Sequence, residues 1–148
     1  MKQFAFTVPG KPVGKMRPRV VKRGNFATKP TVEYEKLIRQ RAIDAGVEMM
    51  NYCRVFIAVY LPMRKKEYKT KPNEWLEPRK RPNLDNICKS VLDAIEGVAF
   101  KNDKDVMSVE MEYRFAKHLQ PSLSIWIAEC DWLDYIFCKI KWNEESEL

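Results

Sequence analysis

The chain is short of the residues that build many familiar catalytic centres. Its 148 residues include one histidine, His118, which excludes a multi-histidine metal site and is given no catalytic role. The four cysteines, Cys53, Cys88, Cys130 and Cys138, form neither a CxxC pair nor a zinc-ligand spacing. Reduced thiols in a cytosolic protein are expected. No apolar run is long enough to cross a bilayer. The opening stretch, MKQFAFTVPGKP, lacks a signal-peptide core. The expectation is a cytoplasmic protein with no membrane partner. Acids are also missing where bases gather: residues 1–32 hold eight Lys or Arg and no Asp or Glu.

What is present argues for a folded, basic domain. Apolar residues make up 45% and aromatics 11% of the chain, too much for wholesale disorder. The length suits one domain over residues 1–148 with a real core. The net charge is +7, yet residues 129–148 carry six acids and two lysines. A basic arm and an acidic tail point to a nucleic-acid partner; solvated surface charge is the plain alternative.

Periodicity predicts the elements. Residues 2–8 alternate as a strand, and residues 20–26 resemble a hairpin turning near Gly24. Thr31 is the expected cap of a helix over about 32–47, stopped by Gly46. A buried strand follows at 53–61. Residues 62–82, with four prolines and eight bases against three acids, read as a long loop, of a length that is usually functional or mobile. A helix fits 84–96, ended near Gly97, and strands fit 106–115 and 122–128. Apolar residues at helical spacing in 131–142 either dock on the domain or form a dimer contact. The expected fold is a single-domain α/β sandwich with a small mixed sheet.

The chemistry concentrates in Arg81-Pro82-Asn83-Leu84-Asp85-Asn86-Ile87-Cys88-Lys89, with Asp103 following. Asp85, Lys89 and Asp93 are spaced i, i+4 and i+8, so they share one helix face. A surface salt-bridge ladder is the ordinary meaning of such spacing. Here the acids begin at a helix N-terminus that favours anions, beside a basic loop. Asp103 sits in a polar turn before a strand and is expected to face the helix start. A few carboxylate oxygens suit a hydrated Mg2+. Acids holding a cation within a basic surface suggest an enzyme that cuts a polyanion.

Asn83-Leu84-Asp85-Asn86-x-x-Lys89, then Leu92-Asp93-Ala94-Ile95, Gly97 and Asp103 before Val106, resembles the signature of RusA-type Holliday-junction resolvases. Gly10-Lys11-Pro12, Lys15-Met16-Arg17-Pro18-Arg19 and Tyr34-Glu35 are similar to phage and prophage members. The resemblance covers roughly residues 4–128. It implies a homodimeric, Mg2+-dependent endonuclease that nicks opposed strands of a four-way DNA junction during recombination and repair. It maps Asp85 and Asp103 to metal-binding carboxylates and Lys89 to the active-site lysine. Position 83 maps to a third essential aspartate, and this chain has Asn83. An amide oxygen ligates a hard cation without bringing charge and cannot act as a base. A weakened or inactive enzyme is therefore expected, with a non-catalytic junction-binding protein as the alternative.

Lys11, Lys15, Arg17, Arg19, Lys22, Arg23, Lys80 and Arg81 are the main candidate phosphate contacts, joined by Arg64, Lys65, Lys66 and Arg79. Trp75 is read as a loop anchor before a junction wedge. Asp93 is expected to pair with Lys89 or another base. Asn86 is expected to orient a carboxylate or close the helix start. A basic RNA-binding module lacks a recognised motif.

Overall fold

In the main sheet, alternate residues of each strand turn toward one buried face. The computed structural model describes residues 1–16, 19–21, 24–26, 28–63, 82–116 and 119–133. The strands are β1 (Gln3–Pro9), β2 (Arg19–Val21), β3 (Gly24–Phe26), β4 (Cys53–Pro62), β5 (Val106–Ala116) and β6 (Ser122–Glu129). The predicted strands thus form within a residue or two of their expected bounds. β2 and β3 pair as the expected hairpin, with Val21 opposite Gly24.

The main sheet has the order β1-β6-β4-β5. β6 lies antiparallel to both β1 and β4, and β4 runs parallel to β5. In this register Phe6, Ile125, Ile57 and Met111 form one row across the sheet. Val8, Val55, Val59, Leu123 and Ile127 share that face and are buried. Tyr34, Ile38 and Ala42 from α1 (Lys29–Asp44), with Ile87, Val91 and Ile95 from α2 (Leu84–Ile95), complete the same core. The result is the expected mixed α/β fold, with two helices covering one sheet face.

Helix α1 begins three residues before its predicted start. Thr28 occupies the N-cap position, and Pro30 falls in the first turn, where a missing N–H goes unused. Thr31 is therefore inside the helix rather than its cap. It is almost fully buried, and its Oγ1 lies 2.9 Å from Thr28 Oγ1. The far end matches expectation: Gly46 takes φ 73°, a left-handed turn that suits glycine. Helix α2 stops at Gly97, φ 82°, whose N–H donates to Phe100 O at 2.7 Å.

Parallel strands need a crossover, and α2 lies on the crossover between β4 and β5. Tyr113 near the end of β5 donates a hydrogen bond to Pro82 O just before α2. Beyond the other end of α2, Ala99 O accepts from Met50 N–H at 2.8 Å, just ahead of β4. Helix α2 therefore runs antiparallel to β4 and β5.

The opposite sheet face carries Phe56, Tyr60, Trp126 and Arg114. The Arg114 guanidinium lies 5.9 Å from the Phe56 ring centroid and 5.6 Å from that of Tyr60. Of the segment predicted at 131–142, residues 134–142 lie outside the described ones. Trp132 packs its ring 5.9 Å from that of Tyr52. No described helix is long and apolar enough to cross a membrane.

Cys53, Cys88 and Cys130 are free thiols, as expected; Cys138 lies outside the described residues. Burial, then the nearby Cys130 and Asp105, push the Cys53 thiol up to about 12. The folded chain thus holds this proton when the unfolded one releases it, near pH ~8.5. The stability contributed by Cys53 is complete below that pH and falls as pH rises. Peptide mapping after brief alkylation at pH 8 should find Cys88 labelled and Cys53 protected. Equal labelling of both would contradict the buried position of Cys53.

Candidate functional site

The start of α2 is organised by its own sequence. Asn83 caps the helix: its side chain accepts the Asp85 N–H at 3.1 Å, and its carbonyl accepts the Ile87 N–H at 3.1 Å. The side-chain bond satisfies one of the donors that a helix start otherwise leaves open, and the carbonyl accepts the first bond of the helix itself. Asp85 follows in the first turn, and Lys89 Nζ lies 3.1 Å from Asp85 Oδ2. Both side chains are more than half exposed, so the pair contributes little stability. The apolar face of α2 holds the helix in place, leaving Asp85 and Lys89 displayed to solvent.

Residues 14–16 cross this helix start. The Lys15 N–H donates to Asn86 O at 3.0 Å, and the Met16 N–H donates to Thr31 Oγ1 at 3.4 Å. Gly14 passes so close that a Cβ built on it would lie 2.9 Å from Asn86 Cβ. Between this strap and residues Pro82, Asn83, Asn86 and Lys89 lies an open cleft of about 770 Å³. Asn86 thus holds the strap on α2 through its backbone carbonyl and its Cβ, while the cap of the helix is Asn83.

Asp93 finds a basic partner, as expected, but the partner is Lys15. Lys15 Nζ pairs with Asp93 Oδ2 and lies 3.6 Å from Glu35 Oε1. Lys89 is left to Asp85.

Asp103 sits elsewhere. It opens a short 3-10 turn, Asp103–Asp105, just before β5. The Asn102 side chain accepts the Lys104 N–H at 3.1 Å and the Asp105 carboxylate accepts the Asn102 N–H at 3.0 Å, which closes that turn. The start of α2 is tied to Tyr113, seven residues along β5 from Val106, a span of about 23 Å at strand rise. Within one chain, Asp103 therefore does not face the helix start. The antiparallel course of α2 along β5 puts the two at opposite ends. Among the described residues, no group of three His, Cys, Asp or Glu gathers as a metal site.

The other predicted cations divide in two. Lys11 is exposed, and Arg19 lies in β2. Arg17, Lys22, Arg23, Arg64, Lys65, Lys66, Trp75, Arg79, Lys80 and Arg81 lie outside the described residues. Sequence reasoning missed Gly14, Thr31 and Tyr113 as contributors to the site. Only Gly14 carried a signal, as the small residue beside Lys15 within the basic arm.

A mixed sheet, two helices on one face and an acid–lysine pair at a helix start fit a class of small α/β deoxyribonucleases. The sequence matches the Endodeoxyribonuclease RusA family over residues 9–128, and the chain belongs to that family. The family resolves Holliday junctions, and its nucleases are generally dependent on a divalent metal. The chain is also similar to an uncharacterized Bacillus subtilis protein, YqaN. The two are 29% identical over 141 residues, covering 84% of this chain and 94% of YqaN.

Gly14→Ala tests the close crossing of the strap. The added methyl meets the Cβ of Asn86, which cannot swing away as a side-chain tip would. The expected loss is about 1–3 kcal/mol, the range for overpacked contacts, measured by urea unfolding. An unchanged midpoint would mean that the strap does not lie against α2 as described.

Proposed function

We propose that this protein is a Mg2+-dependent endonuclease that cuts four-way DNA junctions as a symmetric homodimer, in a cytoplasmic setting, and that Asn83 weakens its cleavage. The observation that carries this reading is the exposed Asp85–Lys89 pair at the α2 start. Its Lys89 lines a cleft beside a basic arm in a chain of the RusA family. A basic surface gathers a polyanion, and the paired acid and ammonium offer opposite charges to a phosphodiester.

Among the described residues, the donors of one chain do not suit the metal. Mg2+ is usually held by one or two carboxylates plus waters and phosphate oxygens. Here the cleft wall offers the amide of Asn83, whose oxygen caps the helix, and the neighbouring Asp85 is already bonded to Lys89. Asp103 lies about 23 Å along the sheet from this point at strand rise. The separation supports a site completed by two copies, with Asp85 from one and Asp103 from the other. Closed two-fold symmetry then yields two equivalent sites for two opposed strands. When bound, the metal supplies charge stabilisation at the phosphoryl oxygens and lowers the pKa of a water.

The roles of the chain's own residues follow from their positions. Asn83 holds the helix start, so an aspartate there keeps the cap and adds charge. Lys89 keeps Asp85 oriented and supplies positive charge toward the phosphate. Lys11, Arg17, Arg19, Lys22, Arg23, Lys80 and Arg81 are the proposed phosphate contacts, reading shape and charge rather than base sequence. Asn83 also favours a second reading, a junction-binding protein without cleavage, because its amide lacks the third charge.

Single-turnover cutting of a synthetic four-way junction in Mg2+ separates the readings. Asn83→Asp should raise the rate by about 10- to 100-fold, the scale on which changes around a metal alter activity, with junction affinity largely kept. If Asn83→Asp binds junctions but never cuts them, the binding-protein reading is favoured. If the chain with Asn83 already cuts as fast as Asn83→Asp, position 83 is not an essential carboxylate site.

A further inference from the structure

Lys15 sits in the basic arm, yet its ammonium is turned to the protein. It pairs with Asp93 from α2 and lies 3.6 Å from Glu35 of α1. Its side chain is 37% exposed, and Glu35 Oε1 is buried with no hydrogen-bond partner among the described residues. A cation shared by two carboxylates has little attraction left for a phosphate. The neighbouring backbone is fixed in the same place: Lys15 N–H on Asn86 O, Met16 N–H on Thr31 Oγ1, and Gly14 against Asn86. Residues 14–16 thus join α1, α2 and the wall of the cleft.

We infer that Lys15 is a positioning residue, whose ion pairs with Asp93 and Glu35 clamp the basic arm across the start of α2 beside Asp85 and Lys89. This rests on the junction-nuclease reading for its consequence, although the clamp itself is a property of the fold. Lys11 of the arm is exposed and open to DNA, while Lys15 sets where residues 14–16 stand relative to the reacting face. Removing Lys15 also uncovers two carboxylates at the cleft, so loss of affinity alone does not identify a phosphate contact.

Two measurements on the full chain test this. The first needs no DNA. Amide exchange at positions 15 and 16, followed by NMR, should quicken by about tenfold in Asp93→Asn and Lys15→Met, the scale of one charge-assisted hydrogen bond. The second uses the Asn83→Asp background and a four-way junction. Lys15→Asp and Asp93→Lys should each lower single-turnover cutting by about tenfold or more. The double variant, Lys15→Asp with Asp93→Lys, should restore part of it, because the pair re-forms with its charges exchanged while Glu35 then faces an acid at position 15.

A phosphate-contacting lysine behaves differently. Exchange at positions 15 and 16 would be unchanged in Asp93→Asn. Lys15→Met would reduce the slope of log affinity against log salt by about 0.9, and the exchanged pair would restore nothing. That set of results overturns the inference. If the amides respond as expected while no form of the chain binds a junction, the clamp stands and the nuclease reading falls.

Discussion

The parallel pairing of β4 with β5 is the constraint on which the rest depends. Antiparallel strands can be joined by a tight turn, but parallel strands need a connection that returns the length of the sheet. Here that return includes α2, packed on the core face by Ile87, Val91 and Ile95. A returning helix starts where the strands end and finishes where they begin. Asn83, Asp85 and Lys89 therefore stand at one end of the sheet, and Asp103 at the other. Eighteen residues of sequence separate Asp85 from Asp103, but a whole helix and a reversal lie between them.

The same packing explains the division of labour among charges on α2. The helix is held by its apolar face, so its polar face is free to carry costly or functional groups. Asp85 and Lys89 remain exposed and lend little to stability. Asp93, two turns from Asp85, is drawn into a different task by Lys15 and Glu35. One row of i, i+4, i+8 charges thus serves two purposes: display at the cleft, and attachment of the N-terminal arm. The open sheet face, with Arg114 between Phe56 and Tyr60, takes no part in either.

Much of the fold was legible because its signals are local. Alternation at residues 3–9 and 122–129, the apolar run at 53–61, and the stops at Gly46 and Gly97 each depend on a few neighbouring residues. The start of α1 lies earlier than a Thr31 cap implies, because Thr28 takes the N-cap position and Pro30 is tolerated in the first turn. Strand order was not legible, since pairing of β1 with β6 depends on which distant surfaces fit. The site was half legible. Asp85 and Lys89 are a helical pair, and spacing reveals such pairs. The partnership of Lys15 with Asp93 spans 78 residues and leaves no periodic trace. The distance to Asp103 required the direction of α2 relative to β5.

The central claim is that Asp85 and Asp103 act together only across two copies of the chain. Mixing two variants tests this directly. Asp85→Asn and Asp103→Asn, each on the Asn83→Asp background, should be inactive alone. In a mixed dimer one site loses both carboxylates, while the other keeps Asp85 from one copy and Asp103 from its partner. The account predicts that mixing restores nicking of a four-way junction, one strand per mixed dimer. If subunits are shown to exchange and the mixture remains inactive, each site draws both carboxylates from one chain, and the account is contradicted.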